Sequence, residues 1–132
     1  MNGTRVLLVE SHRELGSALR EVLEAQTGVF VVGEAGSGAE ALELARRHHP
    51  DIALVDGLEP AEALHREFPT VAVLVLSMHV DGRYVARAIE AGARGYVLKQ
   101  TVEQDLAPAL ERVLAGQQFL SPGVRAQRVS TV

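Results

Sequence analysis

Five short runs of apolar residues recur along the chain, and stretches with helical spacing separate them. Continuous apolar runs of this length are typical of strands that are buried on both faces of a sheet. Alternation of such strands with helices indicates βα units. The pattern therefore predicts an α/β domain in which helices cover both faces of a doubly wound, five-stranded parallel sheet. The runs are Val6–Val9, Val29–Val32, Ile52–Val55, Val71–Leu76 and Tyr96–Leu98.

The segments between these runs have the spacing of amphipathic helices. The first carries an apolar stripe that starts at Leu15, and further helices are predicted over residues 39–48, 81–91 and about 102–115. Pro108 lies within the last pattern and predicts either its first turn or a kink. The third helix is shorter, because only Pro60 to about Glu67 is available, and we expect two turns at most with Pro60 at the first position.

Composition restricts the class of protein. A length of 132 residues suits one domain, and 47% hydrophobic with 23% charged residues is ordinary for a soluble globular protein. The chain has no cysteine, its longest apolar run is too short to span a bilayer, and its first residues lack a secretory signal. We therefore expect a cytoplasmic protein without membrane contact. The net charge of −4 argues against direct binding of nucleic acid by this domain.

Polar residues follow four of the predicted strands directly. Because the carboxyl ends of parallel strands meet at one edge of the sheet, we expect these side chains to converge there, which is where open α/β sheets place their chemistry. Taken singly, each has a simpler explanation: Asp56 and Ser77 could cap the following helices, and Lys99 could be a solvated surface residue. The residues are Glu10, Ser11, Asp56, Ser77 and Lys99.

From residue 5 to about 122 the chain resembles the receiver domain of two-component response regulators. The sequences around Ser77 and at Phe119–Pro122 are similar to those of the NarL/FixJ (LuxR-type) subfamily. This resemblance implies a flavodoxin-like three-layer sandwich with strand order 2-1-3-4-5, a receiver domain at 1–120 and a linker or C-terminal tail at 121–132. The matching segments are Arg5–Val9, Val32–Gly36, Pro50–Asp56, Val73–His79, Ala91–Lys99 and Phe119–Pro122.

The resemblance also implies a role for each candidate residue. Asp56 would be the phosphoacceptor, and Lys99 and Ser77 would contact the phosphoryl oxygens once they arrive. Tyr96 resembles an aromatic switch that turns inward when the region of Ser77 closes on the phosphate, so Ser77 and Tyr96 would together form the switch. Such a domain is a regulatory module rather than an enzyme in the usual sense.

Two departures from the family pattern concern the cation site. The family's adjacent pair of acids after the first strand corresponds here to Glu10 and Ser11, and a hydroxyl is a poor ligand for Mg²⁺. The loop that normally follows the phosphoacceptor is shorter, because Gly57 to Glu59 join Asp56 almost directly to the third helix. The acid pocket of Glu10, Ser11 and Asp56 is therefore expected to hold Mg²⁺ only weakly. Two readings stay open, a receiver that is still phosphorylated and a pseudo-receiver that acts without phosphorylation.

The partners implied by the resemblance are a sensor histidine kinase, if the domain can be phosphorylated, and a second copy of the chain in a homodimer. DNA would be reached only through a helix-turn-helix domain that this chain does not contain, and transcription would be controlled in that way. The alternative is a protein-interaction or ligand-binding module whose surface does not depend on phosphorylation. A nucleotide-binding enzyme is a third and more distant possibility.

Three other patterns invite a chemical interpretation, and a structural one is better in each case. The glycines of residues 33–38 lack the Gly-Lys-Ser/Thr ending of a phosphate-binding loop, so a turn is favoured. His48 and His49 point about 100° apart on a helix and cannot readily share a metal. Ser11 and His12 could be imagined as a nucleophile and its base, but neighbouring positions seldom give that geometry.

Overall fold

A six-stranded parallel sheet forms the centre of the domain, with strands in the order β2-β1-β3-β4-β5-β6. The computed structural model describes residues 3–124. The strands are β1 (Thr4–Val9), β2 (Val29–Ala35), β3 (Ile52–Asp56), β4 (Ala72–Ser77), β5 (Gly95–Leu98) and β6 (Phe119–Leu120). The helices are α1 (Arg13–Glu24), α2 (Gly38–His48), α3 (Leu58–Glu67), α4 (Gly82–Glu90) and α5 (Val102–Leu114).

The helices form the two outer layers of the predicted sandwich, because neighbouring residues of each strand point to opposite faces of the sheet. Ile52 and Leu54 pack into a core with Leu19 of α1 and Leu106 of α5. Residues with side chains on the other face pack into a second core with α2, α3 and α4. The predicted fold class and the order of the first five strands are confirmed.

The sixth strand was not predicted. Phe119 and Leu120 pair in parallel with Gly95 and Tyr96 of β5, and both are buried. Two apolar residues are too short a run to carry a period of two, so the sequence pattern alone cannot identify them. They become a strand because the edge of β5 offers free backbone groups, and pairing satisfies these groups.

Two helical details differ from the prediction. Helix α3 begins at Leu58 and has ten residues, so Pro60 lies third in the helix, where its missing N–H removes no intrahelical bond. Pro108 lies in the interior of α5 and not in its first turn. Its side chain is exposed, and so is Gln104, whose carbonyl loses the usual donor. Water can satisfy that carbonyl, which makes the interior proline tolerable.

The start of the predicted tail is packed against the domain. Ser121 and Val124 are fully buried. The Ser121 hydroxyl accepts a hydrogen bond from the Leu98 N–H at 2.9 Å and donates to Asp105 Oδ2 at 2.7 Å. The Thr101 hydroxyl donates to the same oxygen at 2.5 Å, so the end of β5, the start of α5 and the segment after β6 are joined. Residues 125–132 of the predicted tail lie outside the described residues.

None of the helices in the described part of the chain combines the length and the apolar character that crossing a membrane requires.

Candidate functional site

The carboxyl ends of β1, β3, β4 and β5 bring the predicted polar residues to one edge of the sheet. Asp56 is the last residue of β3 and Ser77 the last of β4, while Glu10 and Lys99 directly follow β1 and β5. These four strands are consecutive neighbours in the sheet. The strand order therefore places residues that are far apart in the sequence side by side.

Lys99 links the two carboxylates of this edge. Its Nζ lies 3.2 Å from Asp56 Oδ2 and 3.7 Å from Glu10 Oε1. The side chains differ in solvent contact, since 27% of Asp56, 17% of Lys99 and only 1% of Glu10 is exposed. Asp56 is thus the carboxylate that a reagent from solvent can reach, and Lys99 supplies a positive charge beside it.

Glu10 is a buried carboxylate with uneven partners. Its Oε2 accepts a hydrogen bond from the His12 backbone N–H at 3.1 Å and lies 3.1 Å from His12 Nδ1. Its Oε1 is buried and has no hydrogen-bond partner among the described residues. A buried charge is costly unless it is paired, and the contact with Lys99 at 3.7 Å is long for an ion pair. This oxygen is therefore available to a further positive group.

His12 belongs to the site, although the sequence argument did not select it for binding. One ligand atom each of Glu10, His12 and Asp56 lies within 4.8 Å of the others. The chain bends at Ser11 after β1, and the backbone at His12 is extended, with φ −89° and ψ 112°. The His12 N–H and imidazole thereby reach back to the Glu10 carboxylate two residues earlier, a contact that no periodic sequence pattern reveals.

A single residue, Gly57, separates Asp56 from α3. Gly57 has φ 112°, a conformation in which a side chain would be strained, so glycine permits this very short connection. Because α3 begins at the next residue, its N-terminal end, with its partial positive charge, follows the carboxylate closely.

Tyr96 is fully buried beneath the loop after β4. Its hydroxyl donates a hydrogen bond to the His79 carbonyl at 2.7 Å, and the Ser77 hydroxyl accepts one from the His79 N–H at 3.1 Å. Tyr84 of α4 stacks on the His79 ring at 4.3 Å and meets the Tyr96 ring edge-on at 6.3 Å. The end of β4, the start of α4 and the middle of β5 are therefore coupled through one aromatic cluster.

The stability of the domain should depend on the ionisation of Tyr96. Burial raises the pKa of Tyr96 above its ordinary value of 10.0, against a smaller opposing effect of Ser77. The folded state then keeps a proton that the unfolded chain releases, so the free energy of unfolding should fall as the pH rises above about 10. Urea unfolding between about pH 8 and 11 measures this fall, which should be smaller in Tyr96→Phe. An equal pH dependence in both proteins would contradict the expectation.

Comparison with known protein families gives one extended match. The matching family is the response regulator receiver domain, and the match covers residues 6–111. It therefore includes the carboxyl ends of β1, β3, β4 and β5, where the candidate residues meet; we call this edge of the sheet the polar edge.

Similar proteins are found among curated sequences and among solved structures. The response regulator UvrY of Escherichia coli strain K12 is 31% identical over 92% of this chain, and the response regulator protein VraR of Staphylococcus aureus strain NCTC 8325 is 32% identical over 91%. The chain spans 59% of the length of UvrY and 61% of that of VraR. A crystal structure of a two-component response regulator of the LuxR family from Aurantimonas sp. SI85-9A1 is 30% identical and superimposes with a TM-score of 0.93 over 98% of both chains.

Proposed function

This chain belongs to the response regulator receiver domain family, and from this premise we propose that Asp56 is its phosphoacceptor, with a sensor histidine kinase as the donor. The observation that carries the proposal is the position of Lys99 Nζ, 3.2 Å from the partly exposed carboxylate of Asp56. A nucleophile that receives a phosphoryl group needs a fixed positive charge where the phosphoryl oxygens arrive.

In the proposed reaction a carboxylate oxygen of Asp56 attacks phosphorus in line with the bond to the donor. The new O–P bond makes an acyl phosphate while the bond to the histidine nitrogen of the kinase breaks, and the released imidazole takes up a proton. Lys99 neutralises part of the charge on the phosphoryl oxygens. The Ser77 hydroxyl, at the end of the neighbouring strand, would hydrogen-bond to one of those oxygens in the phosphorylated state.

The residues of the pocket fit a weakly held divalent cation. Two carboxylates, of Glu10 and Asp56, share the pocket, and the buried Glu10 Oε1 has no hydrogen-bond partner among the described residues. Mg²⁺ is commonly held by one or two carboxylates with water completing its shell. When bound, this ion would neutralise charge on the phosphoryl group. Lys99 already pairs with Asp56 and lies 3.7 Å from Glu10, and Ser11 adds no third carboxylate, so we expect a low affinity for Mg²⁺.

The route from Asp56 to the surface would pass through Ser77, His79 and Tyr96. The Ser77 hydroxyl now accepts a hydrogen bond from the His79 N–H. A phosphoryl group on Asp56 would compete for this same hydroxyl. Because the Tyr96 hydroxyl binds the His79 carbonyl, a shift at Ser77 changes the support of Tyr96 and of α4. The proposed output is a change in the surface made by α4, β5 and α5.

The proposed biological role is that of a cytoplasmic regulator which acts through contacts and not through substrate turnover. We expect homodimers, and control of transcription through a DNA-binding domain outside this chain. The lengths of UvrY and VraR leave room for such a further part in a longer protein. The alternative, a module that is independent of phosphorylation, gains no support from relatives that are described as response regulators.

The test is direct phosphorylation of the tag-free chain. Incubated with Mg²⁺ and a small acyl phosphate donor, the intact protein should gain the mass of one phosphoryl group, and peptide mapping should place it on Asp56. Removal of Mg²⁺ with a chelator should abolish the adduct, because the charge of the phosphoryl group is then poorly neutralised. An unmodified mass even at high Mg²⁺ would reject the proposal and favour the phosphorylation-independent alternative.

A further inference from the structure

The donor atoms at the polar edge are not those of an all-oxygen Mg²⁺ pocket. Besides the carboxylates of Glu10 and Asp56, the cluster includes the His12 imidazole, and one donor atom of each lies within 4.8 Å of the others. From this set we propose that the chain binds a borderline divalent transition-metal ion, such as Zn²⁺ or Co²⁺, through Glu10, His12 and Asp56, and binds it more tightly than Mg²⁺. The inference concerns the pocket of the proposed function but does not require phosphorylation.

The separation of the two best-placed donors suits such an ion. His12 Nδ1 lies 3.1 Å from Glu10 Oε2, in a hydrogen bond that a bound ion would replace. Two ligands that each lie about 2.1 Å from one ion are about 3.0 to 3.4 Å apart when the angle between them is octahedral or tetrahedral. Asp56 and His12 are 27% and 76% exposed, so their side chains can rotate to close the remaining distance.

The buried oxygen of Glu10 indicates that the pocket is prepared for a cation. Glu10 Oε1 is buried and has no hydrogen-bond partner among the described residues, and Lys99 Nζ lies 3.7 Å from it. Lys99 offsets one of the two carboxylate charges, which leaves one negative charge in the pocket. A divalent ion would pair with this oxygen at a much shorter distance and remove the cost of burying it.

The nitrogen of His12 decides the kind of ion. Mg²⁺ is a hard cation that takes oxygen ligands and water, and imidazole adds little to its binding. Zn²⁺, Co²⁺, Ni²⁺ and Cu²⁺ bind imidazole well, and two carboxylates with one histidine leave open positions for water. The neutral hydroxyl of Ser11 is a poor ligand for a hard cation, so it does not compete with the imidazole. The pocket therefore favours the borderline metals.

The local backbone makes His12 a pre-positioned ligand. His12 is the N-cap residue of α1, and its N–H is held by Glu10 Oε2 at 3.1 Å. This bond holds the His12 backbone beside the Glu10 carboxylate, and His12 Nδ1 lies 3.1 Å from the same oxygen. The His12 side chain caps no helix N–H, so its ring nitrogens can turn to a metal without breaking a cap.

The test is the binding of Co²⁺ and Mg²⁺ to the tag-free chain without any phosphodonor. Titration calorimetry should give one Co²⁺ per chain, with an affinity at least about tenfold higher than for Mg²⁺, and Co²⁺ should show visible absorption from nitrogen and oxygen ligands. His12→Asn should lower the Co²⁺ affinity at least about tenfold and leave Mg²⁺ binding unchanged. Asparagine is a favourable N-cap residue, so this variant should fold.

His49→Asn is the matched control. His49 is the C-cap residue of α2 and has a φ of 48°, a left-handed conformation that asparagine tolerates. It precedes β3 and therefore lies at the opposite edge of the sheet from the pocket. The Co²⁺ affinity of the His49→Asn variant should equal that of the unmodified chain. The proposal is overturned if Co²⁺ does not bind, if His12→Asn binds it equally well, or if His49→Asn weakens it to the same degree. Since no phosphodonor is present, these outcomes are independent of whether Asp56 can be phosphorylated.

Discussion

Asparagine in place of Asp56 is expected to abolish phosphoryl transfer to this chain completely, because an amide is not a nucleophile toward phosphorus. Intact mass measurement after incubation with Mg²⁺ and a small acyl phosphate donor should show no adduct at any time. The fold should persist, since asparagine has the same shape and the Asp56 to Lys99 pair is partly exposed. We expect the free energy of unfolding to change by less than about 1 kcal/mol.

Asp51→Asn provides the control at the other end of the same strand. Asp51 Oδ2 accepts a hydrogen bond from the Arg5 N–H at 2.8 Å, a role that the asparagine carbonyl can keep. This variant removes one carboxylate from the chain but not from the polar edge, and it should form the adduct as the unmodified chain does. An adduct in Asp56→Asn, or its loss in Asp51→Asn, would place the phosphoacceptor elsewhere.

Aspartate in place of Ser11 is expected to raise the affinity for Mg²⁺ at least about tenfold, which corresponds to about 1.4 kcal/mol. The change supplies a carboxylate at the position where the family has its second acid, next to the buried Glu10. Hard cations bind more tightly as charged oxygen ligands are added. Titration calorimetry with Mg²⁺ measures the gain, and the rate of adduct formation at limiting Mg²⁺ should rise with it.

Ser17→Asp separates ligation from simple charge. Ser17 is the fifth residue of α1, more than one helical turn beyond the pocket, so the substitution adds the same negative charge without adding a ligand. Its Mg²⁺ affinity should stay within about twofold of the unmodified chain, since a distant exposed charge is screened by salt. Equal gains in both variants would mean that charge alone, and not an added ligand, controls Mg²⁺ binding.

The sequence predicted most of the architecture, because buried parallel strands must be apolar on both faces. Four of the five apolar runs lie entirely within observed strands, and Val71–Leu76 overlaps β4 from Ala72. The errors concern short elements. The strand at Phe119–Leu120 is only two residues long, and the start of α3 at Leu58 depends on the positive φ of Gly57, which a periodic pattern does not reveal.

At the candidate site the sequence selected the residues that directly follow strands, and the structure brings Glu10, Asp56 and Lys99 into contact. It did not select His12 as a ligand, since the prediction treated Ser11 as the replaced acid and His12 only as an imagined base. The structure shows that the His12 imidazole contacts Glu10. The roles of Asp56, Ser77, Tyr96 and Lys99 in phosphorylation remain predictions with the experiments given above.

The sequence by itself determined the class of fold and the edge of the sheet at which the candidate residues meet. Both follow from local rules, namely the length of apolar runs and the polar residue that ends each run. Only the tertiary structure decided which side chains meet. Distances of 3.2 Å from Lys99 to Asp56 and 3.1 Å from His12 to Glu10 arise from strand order and from the bend of the chain after β1. The contact of Lys99 with Asp56 joins parts of the chain that no local pattern connects, and the proposed cation site rests on both contacts.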